Sequence, residues 1–346
     1  MNGVLEQPNG VSDPGRSPGF GSEGASHLGL PILGLLGREP GSCVFADAFT
    51  ALVHLDSTCQ TTTLPRNRQR TTIMTSLIAW IGVDQRGIAS TYFASDSRIT
   101  WPQGGSWDHG RKLFVARQYP HVLGYSGDVL FPTQTLSQIV EMIDLGMLVD
   151  AEGDVGSCLE RIIDVLSRSL DSYPRSALQS FQVLYGTREG VGLRSRFHLR
   201  LVSFDGGREA RTEVIRLPAK SGAVALLGSG AASFRSHLRR WESSEVGGTS
   251  RAVFSAFSDA LRQGTDPATG GPPQLIGLYR RGGGRTFGVL WHGRRYFYGT
   301  EVQSLSSMET VKWHNALFEI CDPLTLDRKP GAQPQPRPRS VREDPS

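Results

Sequence analysis

Cysteine is scarce in this 346-residue chain: Cys43, Cys59, Cys158 and Cys321 are scattered, with no CxxC pair among them. That spacing supports neither a disulfide framework nor a zinc site, and a reducing cytoplasm is the expected setting. Long apolar runs are missing as well. The longest in the first 74 residues, LGLPILGLLG at 28–37, carries Pro31 and three glycines and falls short of the roughly 20 residues that span a bilayer. No basic segment precedes it and no small-residue cleavage site follows closely, so neither a membrane partner nor a signal peptide is expected.

Charge of a single sign is also wanting. The net charge is +4 with acids and bases interspersed, and only four of the 37 basic residues are lysines. No tract of the kind that follows a phosphate backbone results, which argues against a nucleic-acid partner. There is no HExxH, no helix with paired histidines and no acidic cluster, so no metal or other cofactor is expected. The glycines of YRRGGGRT at 279–286 have neither a G-K-[ST] nor a following helix, and read as a hairpin turn.

What is present divides into three parts. Residues 1–74 are rich in Gly, Pro and Ser without period 2 or period 3.6, and read as a disordered leader or as sequence upstream of a misplaced start. Residues 75–325 carry the folding pattern. Residues 326–346, a Pro- and Arg-rich tail, show no apolar face to bury and read as disordered.

Within 75–325, SLIAWIGV (76–83) and GIASTYFAS (87–95) form one hairpin pattern, and KLFVAR (112–117) with HVLGYSG (121–127) a second. Helical spacing follows at Leu136, Ile139, Val140 and Ile143, then at Leu159, Ile162, Leu166 and Leu170 before Pro174. A later strand set (180–187, 196–204, 212–217, 223–230) precedes two more helices, near 231–242 and 249–263, and the runs QLIGLYRR, RTFGVLWH and RRYFYGT, the last read as a final strand. Both early hairpins are assigned to a first sheet and the later strands to a second. This order predicts an α+β fold, a four-layer αββα sandwich of two mainly antiparallel sheets with helices outside.

The chemistry centres on TTIMTSLIAW at 71–80. If Met74 is the start and is removed, Thr75 becomes N-terminal, and nucleophile and base then come in one residue. An α-amine has a pKa of about 7.7–8.0, close to working pH, whereas a lysine must be shifted far to serve as base. Thr71, Thr72 and the TTT at 61–63 are weaker candidates, the last being followed by Pro65 and basic residues instead of a strand.

Asp96, in ASDSR at a strand end, and Lys112, at the head of the next hairpin, are an acid and a base positioned to pair near Thr75. A cation there would lower the amine pKa, and the carboxylate would hold the cation; the plainer reading is a strand-edge salt bridge. Gly127 in GYSGD could aim its N–H at an oxyanion, or serve only as a strand-exit glycine. Ser126 fails as a serine-hydrolase elbow, because Asp128 stands where G-x-S-x-G needs its second glycine and no parallel βαβ unit surrounds it. His109, in the loop before Lys112, reads as a solvated loop histidine.

TSLIAWIGVDQRGIASTYFASDSRIT, followed by RKLF and HVLGYSGD, resembles the start of proteasome β-type subunits and their bacterial relatives, the N-terminal nucleophile hydrolases. The resemblance implies Thr75 as nucleophile, Asp96 and Lys112 as its assistants and Gly127 as oxyanion donor. LLGSG at 226–230 is similar to the family's G-S-G segment, which puts Ser229 near the terminal amine. DPATGG puts Asp266 and Thr269 in the places of an acid and a hydroxyl that precede two glycines, here Gly270 and Gly271.

There are departures. The interval from Thr75 to Asp96 is a few residues longer than the family's, and Met74 replaces the glycine at which relatives self-process, which favours a chain made without a propeptide. By resemblance the expected activity is that of a threonine-type peptidase working without a cofactor on peptide or unfolded protein, in a homo-oligomeric ring. A silent structural subunit and a small-molecule amidase are the alternatives.

Overall fold

Alternate residues of the run Leu77–Asp84 face opposite ways, and each face meets a different core. In the computed structural model, which describes residues 75–101, 103–149, 154–207, 209–303 and 308–341, this run is strand β1 (Leu77–Asp84). The expected leader, 1–74, with its threonines and two cysteines, lies outside the described residues.

From β1 the chain turns at Gln85 and Arg86 into β2 (Gly87–Ser95), pairing Asp84 with Gly87 and Leu77 with Ser95. A small hairpin of β3 (Ile99–Thr100) and β4 (Ser106–Trp107) follows, then β5 (Leu113–Val115) and β6 (His121–Gly127). Helices α1 (Leu130–Asp144) and α2 (Val155–Ser172) lead to β7 (Phe181–Glu189), β8 (Arg196–Phe204), β9 (Arg211–Ile215) and β10 (Gly222–Leu227). Helices α3 (Ala231–Glu242) and α4 (Ser250–Gln263) precede β11 (Gln274–Tyr279) and β12 (Arg285–Trp291). Four short strands close the order: β13 (Arg294–Phe297), β14 (Thr300–Glu301), β15 (Trp313–His314) and β16 (Ile320–Cys321). RRYFYGT is therefore not the final strand.

The result is a mixed α/β fold with antiparallel sheets and four α-helices among the described residues. The larger sheet has the order β10-β1-β2-β11-β12-β13-β14, with β15 joined parallel to β12 and β16 antiparallel to β15. The other is the meander β5-β6-β7-β8-β9. This corrects the sheet assignment read from the sequence: the first two hairpins do not share a sheet. Local alternation marks a strand but carries no record of its lateral neighbour, and β1 and β6 meet face to face instead of edge to edge.

Three cores result. Ile78 and Trp80 of β1 pack with Tyr92, Ala94 and the α3 and α4 residues Phe234, Trp241, Phe254 and Phe257. Leu77 and Ala79, one residue out of phase, pack with Phe93 and with Leu113, Val122, Leu184 and Leu199 from the meander. The meander's other face, through Leu123, Tyr125 and Tyr185, packs on Leu136, Ile139, Ile162 and Leu166 of α1 and α2. Helix ends follow local chemistry: Asp154 accepts from Ser157 N at 2.9 Å to cap α2, Thr249 accepts from Ala252 N at 3.1 Å to cap α4, and Gly264 at φ +63 ends α4.

The tail differs from expectation. Val341 and Gln335 are buried, and Arg337 Nη2 lies 2.7 Å from Oδ1 of Asp259 on α4, with its guanidinium over the Trp241 ring. Asp259 is itself buried and accepts from Trp241 Nε1 at 2.8 Å. A Pro- and Arg-rich segment without apolar periodicity thus docks through a charge pair and one buried valine, features that periodicity does not register. Cys158 and Cys321 are buried and form no disulfide.

Candidate functional site

Asp96 follows the last residue of β2, and Lys112 precedes the first of β5. Lys112 Nζ donates to Asp96 Oδ1 at 2.8 Å, and both side chains are wholly buried. The same oxygen accepts Ser76 N at 2.9 Å, while Asp96 N donates to Ser76 O at 3.1 Å, so the residue beside Thr75 is gripped in both directions. Asp96 Oδ2 accepts Arg98 N and Gly270 N, each at 3.1 Å. Four donors saturate the carboxylate. Burial pushes the Lys112 ammonium below the ordinary lysine range, with the Asp96 charge and hydrogen bond opposing it.

With both early hairpins in one sheet the two residues would share that sheet, but β2 and β5 belong to different sheets. They meet where the ends of the two sheets come together. Gln274, at the head of β11 and 1% exposed, locks that meeting point and was not singled out from sequence. Its Nε2 donates to Gly110 O at 2.7 Å, to Asp96 O at 3.2 Å and to Ser97 Oγ at 3.2 Å, and its Oε1 accepts Lys112 N at 3.1 Å. The one available signal was a lone amide opening an otherwise apolar strand, QLIGLY.

Asp266 and Thr269 lie on the other side of Ser76. The Thr269 hydroxyl donates to Asp266 Oδ2 at 3.0 Å, which makes Ser76 Oγ the donor in its 3.2 Å contact with Thr269 Oγ1. Gly230 leaves the room for this: a Cβ there would stand 1.8 Å from Ser76 Oγ. Arg98 forms a bidentate pair with Asp108 at 2.7 and 2.9 Å, and its guanidinium fills the space that a Cβ on Gly270 would need. His109 is exposed, its Nδ1 2.9 Å from Gly299 O, on a cleft of about 360 Å³ that also touches Thr269 and Gly270.

Thr75 is buried. Gly228, at φ +88, packs its α-carbon against the Thr75 carbonyl, where a Cβ would stand 1.7 Å from the oxygen. The next residue, Ser229, has a buried Oγ without a hydrogen-bond partner among the described residues. Gly127 ends β6 at φ +111, against Ser180 and Phe181 of the neighbouring chain segment. Its predecessor Ser126 faces Gly228. The structure thus gathers Asp96, Lys112, Asp266 and Thr269 around Ser76, and Gly228 and Ser126 around Thr75. Among the described residues no group of three or more His, Cys, Asp or Glu is placed to hold a metal ion, and no helix is long and apolar enough to cross a membrane.

No protein-family model matches the sequence, and no curated protein does. Among solved structures the chain is similar to HslV and Anbu. Eukaryotic HslV from Trypanosoma brucei is 12% identical, with 59% of this chain and 99% of that chain covered at a TM-score of 0.37. Anbu, an ancestral beta-subunit from Yersinia bercovieri, is 12% identical, with 59% and 82% covered at a TM-score of 0.42.

Proposed function

We propose that the protein is a threonine-type amide hydrolase of the N-terminal nucleophile class that cleaves peptide bonds, with Thr75 as the first residue of the working chain. The observation that carries this reading is the buried Asp96–Lys112 pair, tied through Asp96 Oδ1 to the amide of Ser76, next to Thr75. Desolvating two charges is costly, and a cation held beside a terminal amine lowers the amine's pKa and helps to keep it neutral.

In this reading Thr75 Oγ attacks the substrate carbonyl while the Thr75 amine takes the hydroxyl proton. Gly127 N–H stabilises the resulting oxyanion. Collapse breaks the C–N bond, the leaving amine departs with the proton, and an ester remains on Thr75. Water, deprotonated by the same amine, hydrolyses that ester and returns the proton to Thr75 Oγ. Ser229, Asp266 and Thr269 hold the terminus and the water; no cofactor takes part.

The hydrolase domain is 75–325 in the layer order helix, sheet, sheet, helix, for which the three separate cores are the support. Residues 1–74 are absent from the working form. A cytoplasmic homo-oligomeric ring acting on peptide or unfolded polypeptide rests on the sequence resemblance.

The test is the mass of the N-terminal peptide of protein purified from its native host, with Thr75→Ala treated with a threonine-directed acylating probe. A chain that starts at Thr75 and loses labelling on substitution is expected; an intact leader in the active protein rejects the mechanism. A catalytically silent subunit has one observation in its favour, the complete burial of Thr75 in a chain that continues upstream through Met74. Absence of labelling in a chain that does start at Thr75 would select it.

A further inference from the structure

Ser126, excluded by GYSGD as an elbow nucleophile, lies beside Thr75 all the same. Along β6, Leu123 and Tyr125 face the helices α1 and α2, whereas Val122 faces the space between the sheets, and a Cβ on Gly124 would touch Leu77 there. Alternation puts Ser126 on that same inter-sheet side. Two residues upstream of Leu77 on β1's side is Thr75. The crossing is closed by Gly228, whose Cβ would stand 1.7 Å from the Thr75 carbonyl oxygen and 3.3 Å from Ser126 Oγ.

Ser126 is 0% exposed, and its Oγ has no hydrogen-bond partner among the described residues. A buried hydroxyl in that state is less favourable than the methyl of alanine, so its presence asks for a partner. The acceptor sharing its space is the Thr75 carbonyl, whose two lone pairs admit a further donor.

We propose that Ser126 is a positioning residue whose hydroxyl donates to the Thr75 carbonyl oxygen once the chain begins at Thr75. This rests on the reading of Thr75 as the working N-terminus. Cleavage removes the upstream tether of Thr75, and its residue lies before the β1 ladder, which starts at Leu77. Chain ends fray unless they are tied down, and misplacement of a nucleophile by about 1 Å can cost roughly a hundredfold in rate. Ser126 supplies the tie from the opposite sheet.

The experiment uses native-host protein with Thr75 verified as its first residue, and compares Ser126→Ala, Ser126→Thr and Thr75→Ala. With a peptide-amide substrate, Ser126→Ala is expected to lower kcat about tenfold at unchanged KM, the loss of one hydrogen bond. The ¹³C resonance of the Thr75 carbonyl is expected to move upfield, and Ser126→Thr, which keeps the hydroxyl, to restore most of both at an unchanged melting temperature. An unaltered kcat with an unmoved carbonyl resonance overturns the proposal, as does a loss that threonine does not restore. Thr75→Ala that keeps full activity overturns instead the reading beneath it, and separates the two failures.

Discussion

Lys112 Nζ lies 2.8 Å from Asp96 Oδ1 with neither side chain exposed, so the head of a strand in one sheet is bound to the tail of a strand in the other by a charge pair that water does not reach. Such a pair contributes little net stability when intact, but either member alone is a serious defect.

The stability of a double-substitution cycle should show this. Lys112→Met and Asp96→Asn are each expected to lower unfolding stability by about 3–5 kcal/mol. The double variant should lose less than the sum by about 1–3 kcal/mol, since no unpaired charge remains. Urea unfolding of the four proteins is the measurement, and strict additivity would contradict the pairing.

Two histidines give a pH dependence with a definite sign. Burial holds His121 and His314 at pKa values of about 4, below the ordinary 6.5. Between pH 6.5 and 4 the unfolded chain therefore binds protons that the folded chain refuses. Stability is retained above 6.5 and falls as pH drops through that window, by at most about 3 kcal/mol per histidine. Replacing either with glutamine should reduce the proton uptake on unfolding by about one across this range, read from the slope of unfolding free energy against pH.

The docked tail gives a third expectation. Arg337→Ala removes two hydrogen bonds to Asp259, of 2.7 and 3.2 Å, and leaves a buried carboxylate with Trp241 Nε1 and the 3.7 Å contact of Arg262. A loss of about 1–3 kcal/mol is expected, with faster amide exchange over 335–341. Unchanged exchange would mean that the tail is held by other contacts.

The strands GIASTYFAS, HVLGYSG and RFHLRLVSF were legible to the residue, because period-2 alternation and turn residues are local properties. Asp96, Lys112, Asp266 and Thr269 were singled out through motif order; Asp96 and Thr269 contact Ser76 directly, and Lys112 and Asp266 reach it through them. What escaped was relational. The division of hairpins between sheets depends on pairings across more than 100 residues, such as Leu77 with Leu227. Gln274 acts through four hydrogen bonds to residues distant in sequence, and Gly228 and Gly230 through the space they leave empty. The glycines leave no mark in composition or periodicity, and Gln274 leaves only a lone amide at the head of an apolar strand.

β1 is paired on both edges, Leu77 with Leu227 on one side and with Ser95 on the other, and Ser76 is clamped to Asp96 just before it. For a chain that works from Thr75, the sheet is then a gauge that accepts one origin only. A cut one bond early ends in Met74; one bond late it ends in Ser76, whose nitrogen is already committed to Asp96. Ragged trimming would give molecules that fold and count as protein while doing no chemistry, so the amount of such a chain in a cell would be a poor measure of its activity.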